Sequence, residues 1–167
     1  VTSCPECYWT FKHDYPAFGV ETGVEVIHLY ELLDREISKG KVAFNRLGRS
    51  MTFQDSCRLS RFDGRPDLPR RLIERLGQDS FREMQDHGRA AICCGNSAWT
   101  GCDAYSKALQ VRRLEQARAT GSDLLVTSCP KCQIHLTCAM EDPFRGNDIK
   151  MEMMDLTGVL ARTIRWE

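Results

Sequence analysis

Asp123-Leu124-Leu125-Val126-Thr127-Ser128-Cys129-Pro130-Lys131-Cys132 sets a five-residue β-rich run directly against a CPxC segment. The run Asp123–Thr127 has the aliphatic and β-branched content of a buried strand. Pro130 suits the first turn of a helix, so the chain is predicted to pass from strand to helix within a few residues. Cys129 and Cys132 then stand at the mouth of that helix, where free amides and the positive end of the dipole favour thiolates and an anionic ligand. The opening residues repeat the arrangement: Val1-Thr2-Ser3-Cys4-Pro5-Glu6-Cys7 matches Val126-Thr127-Ser128-Cys129-Pro130-Lys131-Cys132 at a spacing of 125 residues. The residues after each copy match in kind. Val24 to Ile27 with His28-Leu29-Tyr30-Glu31-Leu32-Leu33 stands against Lys150 to Met154 with Asp155-Leu156-Thr157-Gly158-Val159-Leu160. The chain is therefore expected to comprise the tail of one repeat, residues 1–47, and one complete unit, residues 48–167, packed as one body. It begins inside a repeat and without methionine, which leads us to expect the C-terminal portion of a longer polypeptide.

Outward from this stretch, short β-rich runs alternate with helical patterns, the signature of an α/β fold built on a parallel sheet with crossover helices. Four to five strands are expected, from the runs Val24–His28, Ser50–Gln54, Arg89–Cys93, Asp123–Thr127 and Ile149–Met153. Predicted helices are Leu29–Lys39, Pro69–Leu76, Ala104–Thr120, Pro130–Met140 and Thr157–Arg165. The longest carries Ala104, Ala108, Val111, Leu114 and Ala117 on one face, charges opposite, and Gly121 as its stop. In this layout Cys57, Cys93–Cys94 and Cys129–Cys132 all lie just past strand C-termini, the edge at which open α/β sheets build ligand sites.

Bulk composition excludes several functions. With 167 residues and 42% hydrophobic content there is one real core and no room for three domains. Lysine plus arginine equals aspartate plus glutamate at 23 each, so no global field draws the chain to nucleic acid or an anionic membrane. No apolar run spans a bilayer, and the first residues lack the basic and apolar regions of a signal peptide, so a cytoplasmic location is expected, with membrane association only through partner subunits.

Nine cysteines are the outlying number. A secreted disulfide scaffold is normally shorter, and an odd count leaves a thiol over, so metal binding or thiol redox chemistry is the better class. Thirty-five residues separate Cys57 from Cys93-Cys94-Gly95, and 34 separate Cys94 from Cys129-Pro130-Lys131-Cys132. Thiolates are soft ligands that select iron–sulfur clusters, zinc or copper(I). Adjacent side chains of an extended chain point opposite ways, so Cys93 and Cys94 reach one site only through a sharp turn, for which Gly95 has the backbone freedom. A centre of several irons uses five thiolates where zinc uses four; a structural zinc site and a CPxC redox pair stay open as alternatives.

This pattern, with Asp55-Ser56-Cys57-Arg58-Leu59 leading into it, resembles the cysteine-rich CCG domain of heterodisulfide reductase catalytic subunits over essentially the whole chain. The resemblance implies an iron–sulfur oxidoreductase subunit binding a noncubane [4Fe-4S] cluster through Cys57, Cys93, Cys94, Cys129 and Cys132, with the cluster as catalytic centre. It assigns Cys4 and Cys7 to the closing CPxC of a preceding copy whose other ligands are missing here. Members of the family bind the sulfurs of a disulfide to iron and deliver electrons through the cluster, so two thiols leave. It further implies a disulfide or thiol substrate and partner subunits carrying iron–sulfur clusters or flavin. Proton donors to the leaving thiols would come from His135, one helical turn past Cys132, or from His28 or Asp55. The alternative is a zinc-stabilised interaction module of a respiratory complex.

The remaining candidates have bland readings. Cys102 and Cys138 are expected to be small buried apolar residues. Trp9 and Trp99 are expected to pack beside helix starts. Arg58, Arg61, Arg65, Arg70 and Arg71 are expected to form a solvated helix face, with attraction of an anionic substrate or an acidic partner as the other reading.

Overall fold

A computed structural model describes residues 1–40, 42–77, 81–95 and 103–165. Three parallel strands, β1 (Met51–Gln54), β2 (Leu124–Thr127) and β3 (Glu152–Asp155), lie in the order β1-β2-β3, with Met51 opposite Leu124 and Leu124 opposite Glu152. Every residue of β1 and β2 is buried, as a parallel sheet covered on both faces requires, whereas β3 is an edge with Glu152 exposed.

The period of two divides the core. Met51, Phe53, Leu124 and Val126 point to one side and pack with Tyr30, Leu72, Ile73, Val159 and Leu160. Those partners come from helices α3 (Leu29–Ser38), α4 (Asp67–Glu74) and α8 (Leu156–Thr163). Leu125 points to the other side, into a second cluster of Val111, Leu114, Leu136, Ala139 and Ile149. This cluster belongs to α5 (Ala104–Ala119), α6 (Pro130–Met140) and α7 (Gly146–Ile149), and it also contains Cys94, Cys129 and Cys132. Leu114, Leu125 and Leu136 are fully enclosed there, each contributing roughly 1.5–3 kcal/mol of burial.

α6 spans the residues expected. α5 also does, capped at Asp103, whose carboxylate accepts from the Ser106 amide at 2.7 Å, and ending before Gly121 at φ +64. Ahead of the sheet, α1 (Pro5–Trp9) continues through a π-helical turn, Thr10–Asp14, into α2 (Tyr15–Ala17).

The α/β class and parallel sheet are as expected, with three strands among the described residues rather than four or five. Arg89–Cys93 makes no ladder. Gly88, at φ +58, gives its amide to the Asp55 carboxylate at 2.7 Å and opens a 3-10 turn through Ala90, while the Arg61 guanidinium takes the carbonyls of Arg89 and Ala91. Val24–His28 keeps a single parallel bridge, His28 to Thr2. The third strand starts later than the run Ile149–Met153. The chain is still helical through Ile149, with Gly146 lodged so close under the Met140 carbonyl that a Cβ would stand 2.3 Å from it.

The repeat in the sequence has a counterpart in the fold. Thr127 pairs with Asp155 as Thr2 pairs with His28, both parallel. Asp155 caps α8 by accepting from the Thr157 amide, and His28 caps α3 by accepting from the Tyr30 amide.

Candidate functional site

Three segments deliver cysteines to the C-terminal edge of the sheet. Past β1, buried Asp55 and Ser56 lead into Cys57 at the head of a π-helical turn, Arg58–Phe62. Past β2, Cys129 is the N-terminal cap of α6 and Cys132 lies in its first turn. The third segment carries Cys93-Cys94-Gly95 and is fastened through Asp55, whose two oxygens meet Arg70 at 2.8 and 2.9 Å while one also accepts from Gly88. Gly95 is at φ +84, and a Cβ there would stand 2.5 Å from the Ser106 carbonyl oxygen and 2.8 Å from Gln110 Cγ. The turn thus needs glycine twice, for its backbone conformation and for its seat against α5.

Four of the five thiols are linked by hydrogen bonds, and the fifth lies near them. Cys132 makes side-chain hydrogen bonds with Cys129 and Cys94, Cys93 bonds Cys94, and Cys57 lies within the Coulomb reach of Cys94 and Cys129. A hydrogen bond from Cys132, aided by the amides of Cys132 and Lys131 at the mouth of α6, brings Cys129 down to about 7 from the ordinary 9.0. The same contact, with that to Cys94 and complete burial, holds Cys132 well above the usual thiol range. Cys93 is pushed up by its hydrogen bond with Cys94 and by burial, and Cys57 by burial and by the neighbouring sulfurs. One thiolate forms readily; five would repel one another unless cations gathered among them. Among the described residues no three Cys, His, Asp or Glu side chains surround a single point as a lone metal ion requires.

Two residues beside the sulfurs were not among those singled out in the sequence. Gln54, on the face of β1 turned toward α5, places Nε2 4.0 Å from Cys132 Sγ. Its Oε1 accepts from Nε of Arg113, a fully buried guanidinium of α5 that also donates to the Asp86 carbonyl at 2.6 Å and to Gln116 Oε1 at 2.7 Å. The available signal is helical spacing: Arg113 sits between Val111 and Leu114 and four residues before Ala117, inside the apolar stripe rather than opposite it.

His135 is half-buried on α6, its Nδ1 3.2 Å from Gln110 Nε2, so it joins the α5 side chain on which Gly95 is seated. His28 is enclosed, and burial, with the Arg65 charge, lowers it to about 4, which keeps it a neutral acceptor for the Tyr30 amide. The Asp55 carboxylate is committed to Arg70 and Gly88.

Cys4 is half-buried and Cys7 exposed on α1, and Glu6 between them reaches Arg58 at 3.2 Å and Lys131 at 3.6 Å. The first CPxC therefore lies beside the second. Cys138 is exposed rather than buried, because its place on α6 faces away from the core cluster. Cys102 and Trp99 lie outside the described residues. Trp9 does pack, stacking on His13 at 4.1 Å and donating to Asp14. The arginines after Cys57 are not a solvated face: Arg58 pairs with Glu6, Arg65 with Glu31, Arg70 with Asp55 and Glu83, and Arg71 with Asp34. Arg58 fastens the N-terminal segment, and Arg65 and Arg71 fasten α3, to the stretch that runs from Cys57 through α4.

No helix among the described residues is long and apolar enough to cross a membrane. The chain is 29% identical over 158 residues to a subunit of the fumarate reductase (CoM/CoB) of Methanothermobacter marburgensis, covering 93% of this chain and 31% of that protein. It is 30% identical over 138 residues to a subunit of the dihydromethanophenazine:CoB–CoM heterodisulfide reductase of Methanosarcina acetivorans, covering 80% and 34%. It is 32% identical over 136 residues to the "Probable iron-sulfur-binding oxidoreductase" of Bacillus subtilis, covering 79% and 19%. The chain thus spans about a third or less of the length of these relatives, two of them named as reductase subunits and one as a probable iron-sulfur-binding oxidoreductase. The sequence pattern of the CCG cysteine-rich domain matches residues 51–137, just over half of the chain, from β1 through Cys57, Cys93, Cys94, Cys129 and Cys132 to His135; the chain belongs to the CCG cysteine-rich domain family.

Proposed function

We propose that Cys57, Cys93, Cys94, Cys129 and Cys132 hold a noncubane [4Fe-4S] cluster, and that residues 48–167 form the disulfide-reducing centre of a larger iron–sulfur oxidoreductase. The observation that carries this reading is the gathering of five thiols from three segments at the C-terminal edge of the sheet. Such a set stabilises as thiolates only around several positive centres, and five sulfurs suit a multinuclear centre over a lone zinc, which takes four. Bound there, the cluster would supply electrons and iron sites for sulfur.

The net reaction adds two electrons and two protons to a disulfide and releases two thiols. The protein's own groups bind and orient: the CCG turn seated on α5 fixes the Cys93 and Cys94 sulfurs, and the α6 amides favour negative charge at Cys129. His135, held by Gln110 next to that turn, is the proton donor in this reading. Electrons come from a partner subunit with cubane clusters or flavin, because all five ligands of residues 48–167 serve one centre. Residues 1–47 are the tail of a preceding repeat, whose Cys4 and Cys7 would close a separate site.

The test is reconstitution under anaerobic conditions followed by a dye-linked assay with reduced viologen and a small aliphatic disulfide. Iron-loaded protein should oxidise dye in step with thiol release, and Cys93→Ser should lose both. Iron-loaded protein that holds reduced dye indefinitely beside several such disulfides would contradict a reducing centre.

A further inference from the structure

Arg113 is a buried cation. Its side chain is 0% exposed, and among the described residues no carboxylate forms an ion pair with it. Nε and Nη1 are satisfied by neutral oxygens of Gln54, Asp86 (its carbonyl) and Gln116, and Nη2 has no hydrogen-bond partner. The nearby carboxylates are engaged elsewhere, Asp55 by Arg70 and Gly88, and Asp86 Oδ2 by Gln116 Nε2. An enclosed guanidinium in this state is costly, and a chain keeps one where an anion faces it. The charges that act on it are the Asp55 and Asp86 carboxylates first and then the Cys132 and Cys94 sulfurs, and Gln54 stands between Arg113 Nε and Cys132 Sγ.

We propose that Arg113 is a positioning residue for the sulfur centre, a fixed positive charge that faces the Cys132 and Cys94 thiolates and, through Gln54, raises the reduction potential of whatever cluster they hold. This rests on the cluster reading above. The sign follows from electrostatics: reduction adds negative charge, a buried cation stabilises it, and removing the cation disfavours the reduced form.

The experiment compares the reconstituted chain with Arg113→Lys and Arg113→Gln by redox titration followed by electron paramagnetic resonance, with iron and sulfide measured on each sample. Arg113→Gln should shift the reduced-to-oxidised ratio at fixed poise about tenfold toward oxidised, equivalent to about 59 mV for one electron. Arg113→Lys, which keeps the charge, should stay near the parent. A purely structural role would move the two variants alike or not at all, and either result overturns the proposal. Should Arg113→Gln not fold, Gln54→Glu sets a carboxylate against the guanidinium at constant shape, and an unchanged midpoint there overturns it equally. A parent chain that takes up no iron and sulfide refutes the cluster reading instead. An iron-loaded parent whose variants titrate identically refutes only the role of Arg113.

Discussion

The vicinal cysteines depend on the one residue behind them. Gly95 is held at a positive φ with its α-carbon against Ser106 and Gln110 of α5, so Gly95→Ala meets both left-handed strain and overlap with a backbone carbonyl. We expect a loss of about 2–4 kcal/mol in urea unfolding and a failure to retain metal, while Gly121→Ala, also at positive φ but past the C-terminal end of α5, should keep its metal. Asp55 offers a second test at this scale. If it only anchors, Asp55→Asn should cost roughly 1–3 kcal/mol through the lost charge-assisted bonds, since Arg70 keeps Glu83, and leave the pH profile of any turnover in place. A shifted profile in a stable Asp55→Asn protein would return it to the proton donors. The cysteines themselves were legible in the sequence because thiols at fixed intervals have few other uses. Arg113 and Gln54 were not, because a polar residue on a helix or strand reads as solvent-facing until the opposite layer is known.

Single elements show why the sheet is narrower than the pattern of β-rich runs suggests. Hydrophobic content makes a segment fit for a strand, but a ladder also needs free amides and carbonyls. At Arg89–Cys93 the carbonyls are taken by Arg61, and the turn just ahead is tied to Asp55, side chains far away in sequence. The helices were easier to read, since caps and stops such as Asp103, Pro130 and Gly121 act locally. The cap of α3 gives a pH dependence with a definite sign. His28 falls from 6.5 in the unfolded chain to about 4 in the fold, through burial first, so protonation favours the unfolded chain. Its contribution is fully present above pH 6.5 and is lost as the pH falls toward 4, amounting to about 3 kcal/mol between those limits. Denaturant melts across that window should show the slope, and His28→Asn, a cap that does not titrate, should flatten it. A slope of equal size in His28→Asn would assign the acid sensitivity elsewhere.

For the molecule as a whole, the arrangement that matters is two loop ends of one parallel sheet and the CCG turn meeting over the mouth of α6. Strand order brings Cys57 beside Cys129–Cys132, and Asp55 with α5 brings in the CCG turn from a segment that joins no ladder. The repeat sets the N-terminal CPxC alongside, with Glu6 reaching Arg58 and Lys131. Breaking both contacts with Glu6→Ala should leave the iron content of the complete unit as it is, since neither pair includes one of the five sulfurs; loss of iron in that variant would show that the first motif serves the same centre. The most direct measurement is quantification of iron, acid-labile sulfide and zinc in the chain after anaerobic reconstitution, with Cys138→Ser as control. We predict about four irons and four sulfides per chain, retained in Cys138→Ser and lost in Cys93→Ser and Cys132→Ser. One zinc per chain without iron or sulfide, indifferent to Cys93→Ser, would contradict the account.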